Sequence, residues 1–154
     1  MKIKKLNKFA IIPTKGSPSA AGFDLYANNY GLGTAETPSQ DWILQINPGE
    51  TVKIGTGIAI AIPEGYFGGI YPRSGLATKQ GLAPANKVGV IDADYRGELI
   101  VALHNHGTLP QFIHMNDRIA QLIIQPYDRT VSLEECDELD DTLRGADGFG
   151  STGV

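Results

Sequence analysis

The rhythm of this chain constrains its fold more than any single residue does. Short apolar and β-branched runs recur along it: FAIIP (9–13), DWILQI (41–46), TVKIGTGIAIAIP (51–63), YFGGIYP (66–72), KVGVID (87–92), ELIVALHNH (98–106), FIHM (112–115) and RIAQLIIQPY (118–127). Branched and aromatic side chains pack well on a pleated surface, so these runs read as strands. Turn signals stand between them, NPGE (47–50), PEGY (63–66) and DYRGE (94–98). Helical periodicity is scarce. Only SGLATKQG (74–81) predicts a helix, with Ser74 placed to cap it and Gly81 to end it. The pattern predicts an all-β antiparallel sandwich or barrel with one short helix, and it disfavours any βαβ design.

The 154 residues fit one domain, and a 42% hydrophobic content can fill a core without disulfides or metals. The net charge of -4 argues against a broad basic face for nucleic acid, so a polyanionic ligand needs a local arginine cluster or a metal. Lys2, Lys4, Lys5 and Lys8 enclose only Ile3 and Leu6, which predicts an edge strand guarded by charge rather than a signal peptide. No stretch is long enough to span a membrane. Cys136 is the sole cysteine, compatible with a reducing cytoplasm, and the acidic run LEECDELDD around it does not favour a nucleophilic thiolate.

Three islands interrupt the strand pattern. In YPRSGLA (71–77) a strand ends at Arg73 and a hydroxyl and a glycine open a helix, an outline of a phosphate site; equally, Ser74 can simply cap and Arg73 pair with a carboxylate. NKVGVIDADYRGELIV (86–101) reads as a hairpin with a strand to Ile91, a turn from Asp92 to Gly97 and a return from Glu98. Asp92 follows an apolar approach, where partial burial would hold a carboxylate able to deprotonate water, although aspartates are also ordinary turn residues. Tyr95 could lie beside a sugar or base. In RIAQLI (118–123), Arg118 and Gln121 are an odd number of residues apart and so should face opposite sides of a strand. His104 and His106 have strand spacing but no third ligand nearby in sequence, which favours a sheet surface over a metal site, and His114 reads as structural. The loop 28–41 is polar and glycine-rich. The tail RGADGFGSTGV (144–154) combines mobile glycines with a single cation and a single ring, as in a loop that closes on something.

Taken in order, AGFDLYA (21–27), PRSGLA (72–77), GVIDADYRG (89–97), RIAQLI and RGADGFGSTG (144–153) resemble the five motifs of the trimeric deoxyuridine triphosphate nucleotidohydrolase (dUTPase) family. The resemblance spans nearly the whole chain. It implies a distorted jelly roll over residues 1–143 and a C-terminal lid, residues 144–154, closing on another subunit of a homotrimer with three shared active sites. It also implies hydrolysis of dUTP to dUMP and pyrophosphate with Mg²⁺, removing dUTP and supplying dUMP for thymidylate synthesis in the cytoplasm, with no nucleic-acid or membrane partner.

By position, Asp92 would be the base that orients water at the α-phosphorus, and Tyr95 would pack on deoxyribose and leave no room for a 2′-hydroxyl. Asn86 with the backbone of Gly89, Val90 and Ile91 would read uracil. Ser74, Gly75 and Gln121 would cradle phosphates, while Arg73 and Arg118 would either join them or pair with Asp24. Mg²⁺ would be held by triphosphate oxygens and waters, with Asp24 near its water shell. In the tail, Arg144 would meet the γ-phosphate, Phe149 would stack over uracil, and Gly150, Ser151, Thr152 and Gly153 would wrap the phosphates. Asp147 departs from the family's usual glycine and sets an acid near the triphosphate. The related dCTP deaminases share this fold, but PRSGLA and the complete tail favour hydrolysis.

Overall fold

A computed structural model describes residues 1–28 and 42–148. Most of the 28–41 loop, and Phe149, Gly150, Ser151, Thr152 and Gly153 of the tail, therefore lie outside the described residues. The strands are β1 (Lys2–Lys5), β2 (Thr14–Lys15), β3 (Phe23–Tyr26), β4 (Ile43–Ile46), β5 (Thr51–Gly55), β6 (Ile58–Ala61), β7 (Tyr66–Tyr71), β8 (Leu82–Pro84), β9 (Gly89–Ile91), β10 (Ile100–Asn105), β11 (Gln111–His114) and β12 (Arg118–Pro126). One helix, α1 (Ser74–Gln80), stands among them. All the strand pairings are antiparallel. The strands form a five-stranded sheet in the order β2-β3-β12-β7-β9, a three-stranded sheet β5-β10-β8, and the pairs β1-β6 and β11-β4. The architecture is the all-β distorted jelly roll that the strand rhythm and the resemblance predict.

Alternation decides which face of each strand is covered. Leu25, Ile70 and Leu122 of the five-stranded sheet point inward and meet Ile54, Leu82 and Leu103 of the three-stranded sheet in one buried cluster. Asn105, the middle residue of HNH, is fully buried yet satisfied: its amide donates to Ile46 O at 2.9 Å and Leu109 O at 2.8 Å, and its Oδ1 accepts from Gly107 N–H at 2.9 Å. β1 lies exposed against β6, the charged edge strand that the lysines predict.

Several sequence expectations need correction. FAIIP is no strand, because Pro13 lacks an amide hydrogen and the chain before it is tied by Phe9 N–H to Asn7 Oδ1 at 2.9 Å. TVKIGTGIAIAIP is two strands, not one. Gly57 takes positive φ (67°) and turns the chain from the three-stranded sheet to the β1-β6 pair. The expected hairpin 86–101 is likewise divided, since β9 pairs with β7 whereas β10 pairs with β5 and β8. Ser74 does not cap α1: Arg73 occupies the cap position and no side chain caps the helix, although Gly81 ends it with φ 68° as expected.

Candidate active site

Three of the five motifs meet at one end of the five-stranded sheet. Asp24 on β3 sits opposite Gln121 on β12, which sits opposite Tyr71 at the end of β7. Their side chains therefore share the outward face. Asp24, largely shielded from solvent, accepts from Arg73 Nε at 3.0 Å and from Arg118 Nη1 at 3.2 Å, and Arg73 Nη1 also donates to Arg118 O at 3.1 Å. Both arginines thus pair with Asp24 in this structure. Gln121 Nε2 donates to Pro72 O at 2.9 Å, fixing the strand just before α1. Gly22 admits this amide, for a Cβ there would stand 2.7 Å from Gln121 Oε1.

Arg118 and Gln121 were expected on opposite faces, and they are not. The register of β12 against β3 shifts between Arg118 and Ala120, and Ile119 and Ala120 are both fully buried in succession. A bulge of this kind adds one residue to the alternation and so returns Arg118 to the side of Gln121.

Beyond Arg73 the first N–H groups of α1 lack partners within the helix, whose earliest bond runs from Ala77 N–H to Arg73 O at 3.0 Å. Ser74 and Gly75 are exposed here, and a Cβ on Gly75 would meet nothing within 4 Å. This end of the face presents amide and hydroxyl donors beside two guanidinium groups, a setting for an anion.

The residues expected to read a base line the free edge of β9, whose Gly89 pairs with Ile70 close to the anion end. A cleft of about 260 Å³ opens between β9 and the three-stranded sheet, with Asn86, Gly89, Val90 and Ile91 along one side and Lys53, Ile100 and Ala102 along the other. β9 is the edge of its sheet, so alternate peptide groups on its free side are not used by β7 and face this cleft. Asn86 rests against Gly89, where an added Cβ would be 3.2 Å from Nδ2. Its turn is closed by Lys87 N–H to Pro84 O at 3.0 Å.

Asp92 lies past the end of β9, beside Phe67, Val90 and Tyr127. Contrary to the expected partial burial, it is exposed in the single chain, because at strand spacing residue 92 shares the face of the outward-facing Val90, while Gly89 and Ile91 turn the other way. The turn after it is closed by Tyr95 N–H to Asp92 O at 3.2 Å, and Arg96 Nη1 buttresses it by donating to Ala93 O at 2.7 Å and Tyr95 O at 2.8 Å. Tyr95 leans over Gly97 and donates its hydroxyl to Glu98 O at 3.0 Å. Sequence reasoning missed Arg96 and Glu98, since charged residues around a turn ordinarily face solvent.

The two ends are far apart on one chain. Ile91 pairs with Gly68, so Asp92 stands level with Phe67, and six residues at strand rise put Arg73 roughly 20 Å away. In the tail, Arg144 Nε donates to Asp147 O at 3.0 Å, and Asp147 N–H returns a bond to Arg144 O at 3.2 Å. His104 and His106 lie on the sheet surface with ring centroids 4.4 Å apart, and Thr51 Oγ1 is 2.8 Å from His104 Nδ1. Desolvation, then His104 and Lys87, hold His106 below the usual imidazole value. Among the described residues no group of three or more His, Cys, Asp or Glu could hold a metal ion, and no helix is long and apolar enough to cross a membrane.

An all-β domain that carries an anion cradle at one end of a sheet face, a carboxylate at the other and a peptide-lined cleft along the sheet edge between them has the plan of a nucleotide hydrolase. A family model described as dUTPase matches residues 8–153, and the chain belongs to the dUTPase family. The deoxyuridine 5′-triphosphate nucleotidohydrolase of Syntrophotalea carbinolica is 46% identical over 153 residues, covering 99% of this chain and 96% of the relative. A dUTPase variant of Staphylococcus bacteriophage 80alpha, solved with dUpNHpp, superposes with a TM-score of 0.84 at 28% identity, covering 99% of this chain and 98% of that one. The dUTPase of phage phi11 of S. aureus, in a structure described as revealing the coordination of a structural Mg(II) ion, gives a TM-score of 0.73 at 25% identity over 89% of this chain and 96% of that one.

Proposed function

We propose that the chain hydrolyses dUTP to dUMP and pyrophosphate in a homotrimer whose three sites are each assembled from several copies. The observation that carries this reading is the separation along β7: the anion end and Asp92 share one outward sheet face but lie roughly 20 Å apart, at strand rise, on the same chain. A head-to-tail copy laid on that face brings its anion end to the first copy's Asp92, and a repeated contact of this type closes into a ring. Val90 on this face is 61% exposed, an apolar surface suited to such a contact.

Within the assembled site uracil enters the β9 cleft, where free peptide groups and Asn86 meet its edge as a pairing base would. The cleft is too tight at Gly89 for a thymine methyl, and Tyr95 excludes a 2′-hydroxyl. Ser74, Gly75 and Gln121 receive the phosphates, with Arg73 and Arg118 kept in place by Asp24 and adding positive potential. Asp92 takes a proton from water as the water oxygen bonds to the α-phosphorus; the α–β bridging P–O bond breaks and pyrophosphate leaves with its electron pair. Residues 144–154 close over the nucleotide, Arg144 leaving its turn for the γ-phosphate and Phe149 covering the base, while residues 150–153 wrap the phosphates.

The donor set fits a magnesium ion that arrives with the triphosphate, since each Asp24 oxygen already accepts from an arginine and its remaining acceptor capacity suits contact with the ion's water shell. Bound magnesium would neutralise phosphate charge and ease departure of pyrophosphate. The product dUMP feeds thymidylate synthesis, and we place the enzyme in the cytoplasm.

The test is pyrophosphate and ammonia release from dUTP, UTP and the four common dNTPs with Mg²⁺. We expect pyrophosphate from dUTP far above the rest, loss of activity on chelation, recovery on adding Mg²⁺, and no ammonia from dCTP. Equal turnover of the six nucleotides, or ammonia from dCTP, contradicts the reading.

A further inference from the structure

Glu98 has no ion-pair partner among the described residues, although it is half-buried. Its carboxylate sits in a notch made by two glycines. Glu98 Oε1 accepts from Gly57 N–H at 2.7 Å, and a Cβ on Gly55 would stand 2.6 Å from the same oxygen. Gly57 holds positive φ, so both positions of the notch are closed to ordinary side chains.

Around this contact the chain is stapled to the β5–β6 turn. Thr56 Oγ1 donates to Leu99 O at 2.6 Å in a buried setting, and Leu99 N–H donates to Ile58 O at 2.9 Å. One bond leaves the staple in the other direction, from Tyr95 Oη to Glu98 O at 3.0 Å. Tyr95 therefore hangs from the Glu98–Leu99 peptide, which is held by Leu99 N–H on Ile58 O and, one side chain away, by the seated Glu98 carboxylate. The notch asks for an acceptor rather than a charge, because its donor is a backbone amide.

We propose that Glu98 is a positioning residue for sugar discrimination. Seated between Gly55 and Gly57, it works with the Leu99 N–H bond to fix the carbonyl that holds the Tyr95 hydroxyl, and so the ring that excludes a ribonucleotide's 2′-hydroxyl; it touches no substrate atom. This builds on the dUTP reading above. Without the seat, Gly57 N–H loses its acceptor and the tyrosine's anchor can shift.

The experiment measures kcat/KM for dUTP and for UTP in the full-length assembled enzyme, wild type against Glu98→Ala, Glu98→Gln and Tyr95→Phe. Glu98→Ala should lower the dUTP/UTP ratio by about tenfold or more, because discrimination by exclusion depends on a fixed wall. Glu98→Gln should stay within about twofold of wild type, its Oε1 accepting the same bond. Adding Tyr95→Phe to Glu98→Ala should lower the ratio no further, since the two changes break one linkage. Should Glu98→Ala fail to fold, Tyr95→Phe alone carries the test, because it cuts only the outermost bond. An unchanged ratio in a folded, dUTP-active Glu98→Ala overturns the role of Glu98, as does an unchanged ratio in Tyr95→Phe or a loss in Glu98→Gln equal to that in Glu98→Ala. Absence of dUTP turnover in the wild-type enzyme instead overturns the functional reading beneath it.

Discussion

Asp92→Asn is expected to bind dUTP within a few-fold of wild type and to hydrolyse it about 10³-fold more slowly, the scale of a lost general base. The substitution is nearly isosteric and removes only the capacity to take a proton. Fold damage should be small, because the Asp92 side chain is exposed and the turn is closed through its backbone carbonyl by Tyr95 N–H. Single-turnover kinetics and equilibrium binding of a non-hydrolysable dUTP analogue separate the two effects. Near-normal turnover would falsify the assignment of Asp92 as the base. A loss confined to binding would move it from the chemistry to the pocket.

Removing residues 144–154 should abolish most dUTP turnover, by about 100-fold or more, and leave the thermal midpoint within about 2 °C of wild type. The asymmetry follows from where the described contacts lie. The last strand ends at Pro126, and from Asp128 to Gly148 the chain is exposed and contributes nothing to the buried cluster. Among the described residues Arg144 bonds only Asp147, so the loss of residues 144–148 breaks no hydrogen bond to the sheets. Glycine costs the most entropy to order, so the loss expected on truncation is of closure over substrate and not of the fold. An unaltered turnover rate in the truncated enzyme contradicts this account, and so does a large drop in thermal midpoint.

The sequence made the strands legible where they alternate and end in turn residues, as in DWILQI, YFGGIYP and the lysine-guarded β1. It was less informative about pairing. KVGVID and ELIVALHNH are neighbours in sequence but belong to different sheets, because the partner of β9 is β7, whose residues lie some twenty positions earlier. The adjacent apolar residues in RIAQ did carry a trace of the bulge: two neighbours buried together cannot both fit a strict alternation. Reading through that break gave the wrong face for Arg118. Exposure of Asp92 was illegible for another reason, since burial of a residue on an uncovered sheet face depends on the assembled molecule and not on the apolar residues before it. Glu98 gave no signal at all; its acceptor role depends on two glycines some forty residues away.

The separation of Asp92 from the anion cradle is the center of the account, and mixing two inactive proteins tests it directly. Asp92→Asn lacks the base, whereas Gly75→Asp puts a negative charge where phosphate should bind, at a position with open space for the side chain. Each variant alone should be nearly inactive. After the two are unfolded or dissociated together and reassembled at equal ratio, about one site in four combines an intact cradle from one copy with an intact Asp92 from another, as random filling of a ring requires. The account predicts recovery of about a quarter of wild-type dUTP turnover on this counting. No recovery from a mixture shown to contain hetero-oligomers would mean that each chain completes its own site, and would contradict the shared assembly.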